Sequence, residues 1–241
     1  RSRLFVLDFA VSDDVISTLH PLEGHRLTGP NGVAMRDLGF NPEGIARLEN
    51  NTLMIVSEAG PRIARFSLTG EWLYDVTVPD ALQDPSRQRS ENDGLESLGW
   101  HPMLGLVKAP EEPLTTASGG LHTLYSSNGR SLSFDTAELG ATSIKSLDVM
   151  ADGRLLILER DRAEDDSLIT YLRVLDPATC PEQGLCATHV ARIDVPTITD
   201  ADFEGLTQVA DDLYLIVSDD KVGKDDRSVF VLLRVDMPPA H

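Results

Sequence analysis

Acidic residues recur in this chain in front of apolar runs, and their type suits metal chemistry. Glu43, Glu96 and Glu204 each open such a segment, as in "EGIARL" and "EGLTQVA". Carboxylates brought close together repel one another, so their pKa values rise unless a cation neutralises them. Calcium takes about six to eight oxygen ligands. We therefore expect these glutamates to bind calcium, with Asn92 as a further ligand; the alternative is a set of solvated residues at strand starts.

A second set of charged residues follows the apolar runs. Glu58, Glu159 and Asp219 end "TLMIVSE", "RLLILER" and "LYLIVSD", where a carboxylate could act as the base that activates water. Lys145 takes the place of the glutamate in the third repeat, and Arg160 follows the third apolar run. Lys145 could be a charge partner for the glutamates or an anion contact, and Arg160 could contact a substrate oxyanion. Ordinary charged surface residues remain the alternative for all five.

His101 is the histidine nearest to one of the acidic positions, between Trp100 and Pro102. We interpret it as a loop histidine, with a general acid or an anion contact as the alternative. The sequence lacks a Gly-x-Ser-x-Gly nucleophile motif, a His-Glu-x-x-His zinc motif and a phosphate-binding glycine loop.

These candidate residues recur with a period of about 50 residues, which is typical of a propeller or a solenoid. The repeats start at 43, 96, 145 and 204. The first holds four β-type runs, "EGIARL", "TLMIVSE", "RIARFSL" and "WLYDVTV". In the third, Asp152-Gly153 forms a typical hairpin-turn pair between two runs. Four strands per period predict a propeller blade, whose first strand lines the central channel.

We therefore predict an all-β fold, a β-propeller with four-stranded blades, as one domain over residues 1–241. The C-terminal repeat lacks a fourth strand, while "RSRLFVLDF" and "VISTLHPL" read as the third and fourth strands of a blade. We expect an N-terminal blade that is incomplete in this chain, and five or six blades in the intact protein. The predicted blades lie near residues 43–80, 95–140, 144–196 and 203–236, with a partial blade at 1–24.

The composition of the chain disfavours some classes of binding partner. The net charge is -18, which disfavours nucleic acids and anionic membrane surfaces and suits cations, or anions bridged by cations. No run approaches the roughly 20 apolar residues of a membrane span. Cys180 and Cys186 flank a short loop and could form a disulfide in an oxidising compartment, with two free thiols as the alternative.

The segments "PEGIARL", "IVSEAGPRIARFSLTGEWL", "NDGLESLGW", "LLILERDR" and "DFEGLTQV" resemble the phytase-like family, over residues 3–235. The resemblance implies a secreted or periplasmic bacterial β-propeller and phosphate-ester chemistry. Two features depart from the family pattern. Glu111, in "LVKAPEE", is a poor equivalent of Glu58, and Asp219-Asp220 stands where Asp-Asn is more typical.

Three functional hypotheses follow. The first is a calcium-dependent hydrolase of a small phosphate ester, outside the cytoplasm. The second is a non-catalytic propeller that binds a small molecule or a protein and holds calcium structurally. The third is a lactonase or another esterase. Fold alone does not choose among them.

Overall fold

The apolar runs of the sequence form β-strands throughout the part of the chain that can be described. The computed structural model describes residues 2–90, 93–117, 121–136, 138–194, 201–219 and 228–236. Within these ranges, 17 strands form five antiparallel sheets, and α-helix is limited to α1 (Asp80–Gln83). No helix among these residues has the length and apolarity to cross a membrane.

Three of the sheets are four-stranded blades whose strands follow one another in chain order. They coincide with the runs that the repeat predicts. The first blade contains β3 (Pro42–Leu48), β4 (Thr52–Ser57), β5 (Arg62–Ser67) and β6 (Trp72–Val76). The second contains β7 (Leu95–His101), β8 (Gly105–Pro110), β9 (His122–Ser126) and β10 (Ser131–Phe134). The third contains β11 (Ser143–Val149), β12 (Leu155–Arg162), β13 (Leu168–Leu175) and β14 (Thr188–Ile193).

The two remaining sheets are smaller. The fourth blade has three strands within the described residues, and an N-terminal hairpin has two. This hairpin falls where the partial blade is predicted; the number of blades in the intact protein stays a prediction. The strands of the fourth blade are β15 (Phe203–Ala210), β16 (Leu213–Ser218) and β17 (Phe230–Arg234), and those of the hairpin are β1 (Arg3–Ser12) and β2 (Val15–Arg26).

The second strand of the third blade, β12, is apolar on both faces over its first four residues because a neighbouring sheet covers each face. In β12, Leu155 and Ile157 pack in the cluster shared with the second blade, whereas Leu156 and Leu158 pack in the cluster shared with the fourth. Successive side chains of a strand point to opposite faces. A strand covered twice therefore reads as a continuous apolar run.

The innermost strands of the four blades surround one central space. A cavity of about 580 Å³ is lined by residues of β3, β7, β11 and β15, among them Ile45, Leu98, Leu147 and Leu206. The blades are thus arranged around a common axis, and the fold is a β-propeller. Since the four strands run in the same sense, their first residues lie at one end of the central channel, which we call the mouth.

Local chemistry fixes two further details of the fold. The predicted turn between β11 and β12 forms at Asp152-Gly153, where Gly153 has a φ of 88° that favours glycine. The structure contains the predicted disulfide between Cys180 and Cys186, and both residues are buried in the apolar cluster between the second and third blades.

Candidate functional site at the channel mouth

A β-bulge opens the innermost strand of every blade and places one charged residue there. In β7, Leu95 pairs with Pro110 and Ser97 with Ala109, so Glu96 is an extra residue without a cross-strand partner. The same irregularity occurs at the starts of β3, β11 and β15. The bulged residues are Glu43 with Gly44, Glu96, Lys145 and Glu204.

These bulges explain why the predicted anchor positions Glu43, Glu96, Lys145 and Glu204 face the mouth. A bulge bends the strand and re-aims a side chain that would otherwise follow the strict alternation. In the first blade the bulge also requires Gly44. A Cβ there would lie 2.7 Å from the carbonyl oxygen of Glu96, a distance that no real side chain tolerates.

Lys145 lies at the centre of the carboxylates from neighbouring blades. Its Nζ donates to Glu96 Oε1 at 2.5 Å and to Glu111 Oε1 at 2.8 Å, and lies 3.3 Å from Glu204 Oε1. Only 4% of the Lys145 side chain is exposed. Charge-assisted hydrogen bonds of this length are strong, so the ammonium group fixes three carboxylates in one place.

Arg160 is the second cation of this cluster, and it is more accessible than Lys145. It donates to both carboxylate oxygens of Asp202, at 2.7 and 2.6 Å, and to Glu111 Oε1 at 3.0 Å. It also lies 3.9 Å from Glu204 Oε1. One fifth of its side chain is exposed. Both basic residues of the mouth thus come from the third blade and both have acidic partners.

Four residues near the ends of the second strands occupy equivalent positions beside the anchors. The register aligns Ser57, Pro110, Glu159 and Ser218, each opposite the residue just before or at the bulge. The residues one position further along are therefore the true equivalents of one another. They are Glu58, Glu111, Arg160 and Asp219.

This register changes the interpretation of Glu159 and Glu111. Glu111, which the sequence pattern marks as a poor equivalent of Glu58, occupies the equivalent position and contacts Lys145. Glu159 is one residue out of step, and a shift of one residue turns a side chain to the other face of a strand. It is fully buried and paired with Arg173, and Thr142 donates to it at 2.7 Å. In this position it does not reach the channel mouth.

His101 lies at the opposite end of the channel from the anchors. It ends β7, five residues beyond Glu96, which is about 16 Å along a strand. Its Nδ1 accepts from the backbone N–H groups of Met103 and Leu104, and its Nε2 lies 2.8 Å from the carbonyl oxygen of Gly153. These bonds join two turns of neighbouring blades, so the structure does not bring His101 to the predicted site.

Burial and neighbouring charges shift the pKa values of both the acidic residues and the lysine of the mouth. Burial raises the pKa of Glu96 to about 8, and Glu111 and Glu43 act in the same direction. Burial alone would lower the pKa of Lys145, but Glu96, Glu111 and Glu204 together raise it above its ordinary value. A raised pKa favours the neutral form of Glu96 but the charged form of Lys145, so the first shift weakens the ion pair and the second strengthens it.

The number of opposite charges around each residue indicates which of the two pKa shifts dominates the pair. Lys145 has three carboxylates around it, whereas Glu96 accepts a hydrogen bond from a single basic side chain, Lys145, among the described residues. We therefore take Lys145 as charged. Burial also raises the pKa of Glu204.

The predicted calcium ligands meet a cation of the protein itself. Glu96 and Glu204 are held by Lys145, and Glu43 is close enough to Glu96 to raise its pKa. No group of three or more His, Cys, Asp or Glu side chains in the described part of the chain could hold a metal ion. Carboxylate oxygens are what calcium prefers, but around Lys145 one oxygen of each carboxylate, Oε1, already contacts the ammonium group. Asn92 lies outside the described residues, and calcium binding stays a prediction.

Sequence reasoning missed Glu111 as a member of the mouth, Asp202 altogether, and the bulges. Asp202 precedes Phe203 directly, and it becomes visible only when the residue before each anchor is counted as part of the repeat. Bulges leave no signature of their own in "PEGIARL" or "DFEGLTQV".

Fold and site together define a β-propeller with a charged mouth built from repeated bulges. The chain belongs to the phytase-like family, whose model carries the description "Esterase-like activity of phytase" and matches residues 1–222.

Two solved structures with a similar fold have low sequence identity to this chain. A Hadza microbial sialidase is 8% identical, with 82% of this chain and 45% of the sialidase covered and a TM-score of 0.49. The virginiamycin B lyase of Staphylococcus aureus is 10% identical, with 83% and 86% covered and a TM-score of 0.39. We draw no functional argument from either. A comparison with curated proteins found no match.

Proposed function

We propose that the channel mouth binds and hydrolyses a phosphate ester that arrives together with a divalent cation, for which calcium is our expectation. One observation carries the proposal. The mouth collects carboxylates of several blades around the two basic side chains of the third blade, Lys145 and Arg160. A mouth of this kind holds both the proton-transfer groups and the cationic groups that ester hydrolysis uses.

The charge balance explains why a cation should accompany the substrate. Both basic side chains already have carboxylate partners, so a bare phosphate would meet more negative than positive charge. A divalent cation bound to the phosphate offsets that repulsion, polarises the phosphoryl group and favours an attacking hydroxide. Glu43 and Glu58 of the first blade would receive the cation, because they enter the mouth on the side away from the third blade.

The chain's own residues take distinct roles in this proposal. Arg160, as the more exposed of the two cations, would contact the phosphate oxygens through its guanidinium edge. Glu204, with 26% of its side chain exposed, would accept the proton of the attacking water. Its pKa is raised by burial, which brings it nearer to the range in which a base works at neutral pH. Asp219 is the other carboxylate within the same blade that could take this role.

We also propose that the protein works outside the cytoplasm. The Cys180–Cys186 disulfide supports this, because such bonds persist in oxidising compartments and are uncommon in the cytosol.

Phosphate release tests the proposal directly. The chain should release phosphate from phytate or an aryl phosphate when calcium is present, and lose that activity in a chelator. Glu204→Gln should abolish turnover, whereas Glu182→Gln, which changes an exposed carboxylate in a loop of the third blade, should leave it intact. Absence of phosphate release under all conditions would reject the proposal. Hydrolysis of lactones would then favour the esterase alternative, and inactivity on both substrates a binding function.

A further inference from the structure

We propose that Lys145 is the built-in counter-ion of the mouth, in a position that a divalent cation would otherwise take. The arrangement of Glu96, Glu111 and Glu204 would then need no resident metal. This inference does not depend on the proposed hydrolysis, because it concerns what holds the mouth together before any substrate binds.

The first step of the argument is position. Lys145 is the extra residue of a bulge, as are Glu43, Glu96 and Glu204 in the other blades. The bulge therefore delivers its ammonium group to the ring in which the other blades place a carboxylate. One blade thus contributes a cation where fourfold repetition of the motif would give another acid.

The second step is geometry. The three carboxylates reach Nζ from both neighbouring blades, Glu96 and Glu111 from the second and Glu204 from the fourth, at 2.5, 2.8 and 3.3 Å. An ammonium group among three carboxylates at these distances resembles the oxygen cage of a hard cation. Three carboxylates offer enough oxygens for calcium, whose ligands lie at about 2.3–2.6 Å. Glu96 already lies within that range and Glu111 just outside it, whereas Glu204 at 3.3 Å would have to move inward before calcium could replace the ammonium group.

The third step is burial. The side chains of Lys145, Glu96 and Glu111 are 4%, 5% and 11% exposed. Water screens these charges poorly, and the carboxylates need a cation more than surface residues do. Arg160 is shared with Asp202, and of the three carboxylates around Lys145 it reaches Glu111 and Glu204 but makes no described contact with Glu96. Glu96 therefore depends on Lys145.

Removal of the ammonium group tests the inference. In Lys145→Ala, the carboxylates lose their cation and a space opens where a divalent ion fits. Calcium should then raise the melting temperature and bind about tenfold or more tighter than to the wild type. Lys145→Arg keeps the charge and should gain no calcium response. Lys108→Ala removes another buried lysine, one whose ammonium contacts the backbone of Leu106, and should gain none either.

Variants that retain Lys145 provide an independent test. Glu96→Gln and Glu111→Gln should leave any calcium affinity of the chain unchanged, because Lys145 keeps metal away from both carboxylates. Isothermal titration with calcium chloride, without a phosphate ester, measures both arms. Failure of phosphate hydrolysis would not affect this result.

Three outcomes would overturn the inference. One is a folded Lys145→Ala protein without a calcium response. Another is loss of wild-type calcium affinity in Glu96→Gln or Glu111→Gln. The third concerns folding. Lys145→Ala would refold neither with nor without calcium, whereas Lys145→Ala/Glu204→Gln, which removes one positive and one negative charge, would refold in both conditions. Calcium would then not replace the ammonium group. Refolding of Lys145→Ala only in calcium would support the inference.

Discussion

Replacement of Arg173 by methionine should destabilise the protein more than the loss of a surface cation. The guanidinium neutralises Glu159, and neither side chain is exposed. Without Arg173, Glu159 would keep only the hydrogen bond from Thr142 among those described. Breaking a buried ion pair by removing one partner costs about 3–5 kcal/mol, because the remaining charge has no compensation.

Each of the other contacts of Arg173 contributes less than its pair with Glu159. Its NH1 donates to Glu138 at 3.0 Å, but Glu138 is 53% exposed, and such pairs contribute at most about 1 kcal/mol. The guanidinium also lies 4.9 Å from the ring centre of Phe134, a contact worth about 1–2 kcal/mol. Most of the expected loss of unfolding free energy therefore arises at Glu159.

Urea denaturation measures this effect. Arg173→Met should lower the free energy of unfolding by about 3–5 kcal/mol. Arg173→Met/Glu159→Leu should recover a large part of it, because no buried charge remains. Arg192→Met is the matched control in β14, where the pair with Asp194 is exposed, and should cost under about 1 kcal/mol. The reasoning fails if Arg173→Met costs no more than this control, or if the double variant is worse than either single one.

Three other predictions concern single side chains. Gly44→Ala should destabilise the protein by about 1–3 kcal/mol in urea, because its Cβ would overlap the backbone of Glu96; an unchanged midpoint would contradict the bulge geometry. His101→Ala should cost about 1–3 kcal/mol through the turn bonds it makes to Gly153 and its own loop, yet leave calcium and phosphate-ester binding intact, since it lies far from the mouth. Burial lowers the pKa of Lys108 from 10.5 to about 8, so the unfolded chain binds more protons than the folded protein between these pH values. The free energy of unfolding should therefore rise with pH across this window, by about 3 kcal/mol. Denaturation at several pH values should show this rise in the wild type and not in Lys108→Met.

The blades could be predicted from the sequence because second strands such as β4 and β12 are covered on both faces. That arrangement turns "TLMIVS" and "LLIL" into continuous apolar runs, which recur together with the acidic positions. The fold therefore follows from spacing and hydrophobicity alone. The convergence of Glu43, Glu96, Lys145 and Glu204 follows as well, since equivalent positions of a circular repeat lie at one end of its axis.

The partners within the mouth could not be predicted in the same way. In "LERDR", acidic and basic residues alternate, and composition does not say which of Glu159 and Arg160 faces the channel. The pairing of β11 with β12 decides this, and the bulge at Lys145 sets that pairing. A single inserted residue therefore determines which charge is buried and which is available. Pairing registers of this kind depend on tertiary contacts that local sequence does not record.

The repeated bulge has a consequence for how such a protein can diversify. A bulged residue has no cross-strand partner, so exchanging it leaves the hydrogen-bonded ladder of its blade unchanged. Each blade thus has one position that can be exchanged while its strand pairing stays the same, and in the third blade that position holds lysine. New chemistry at the axis could then arise by exchange of one such position at a time, while the packing between blades continues to hold the ring.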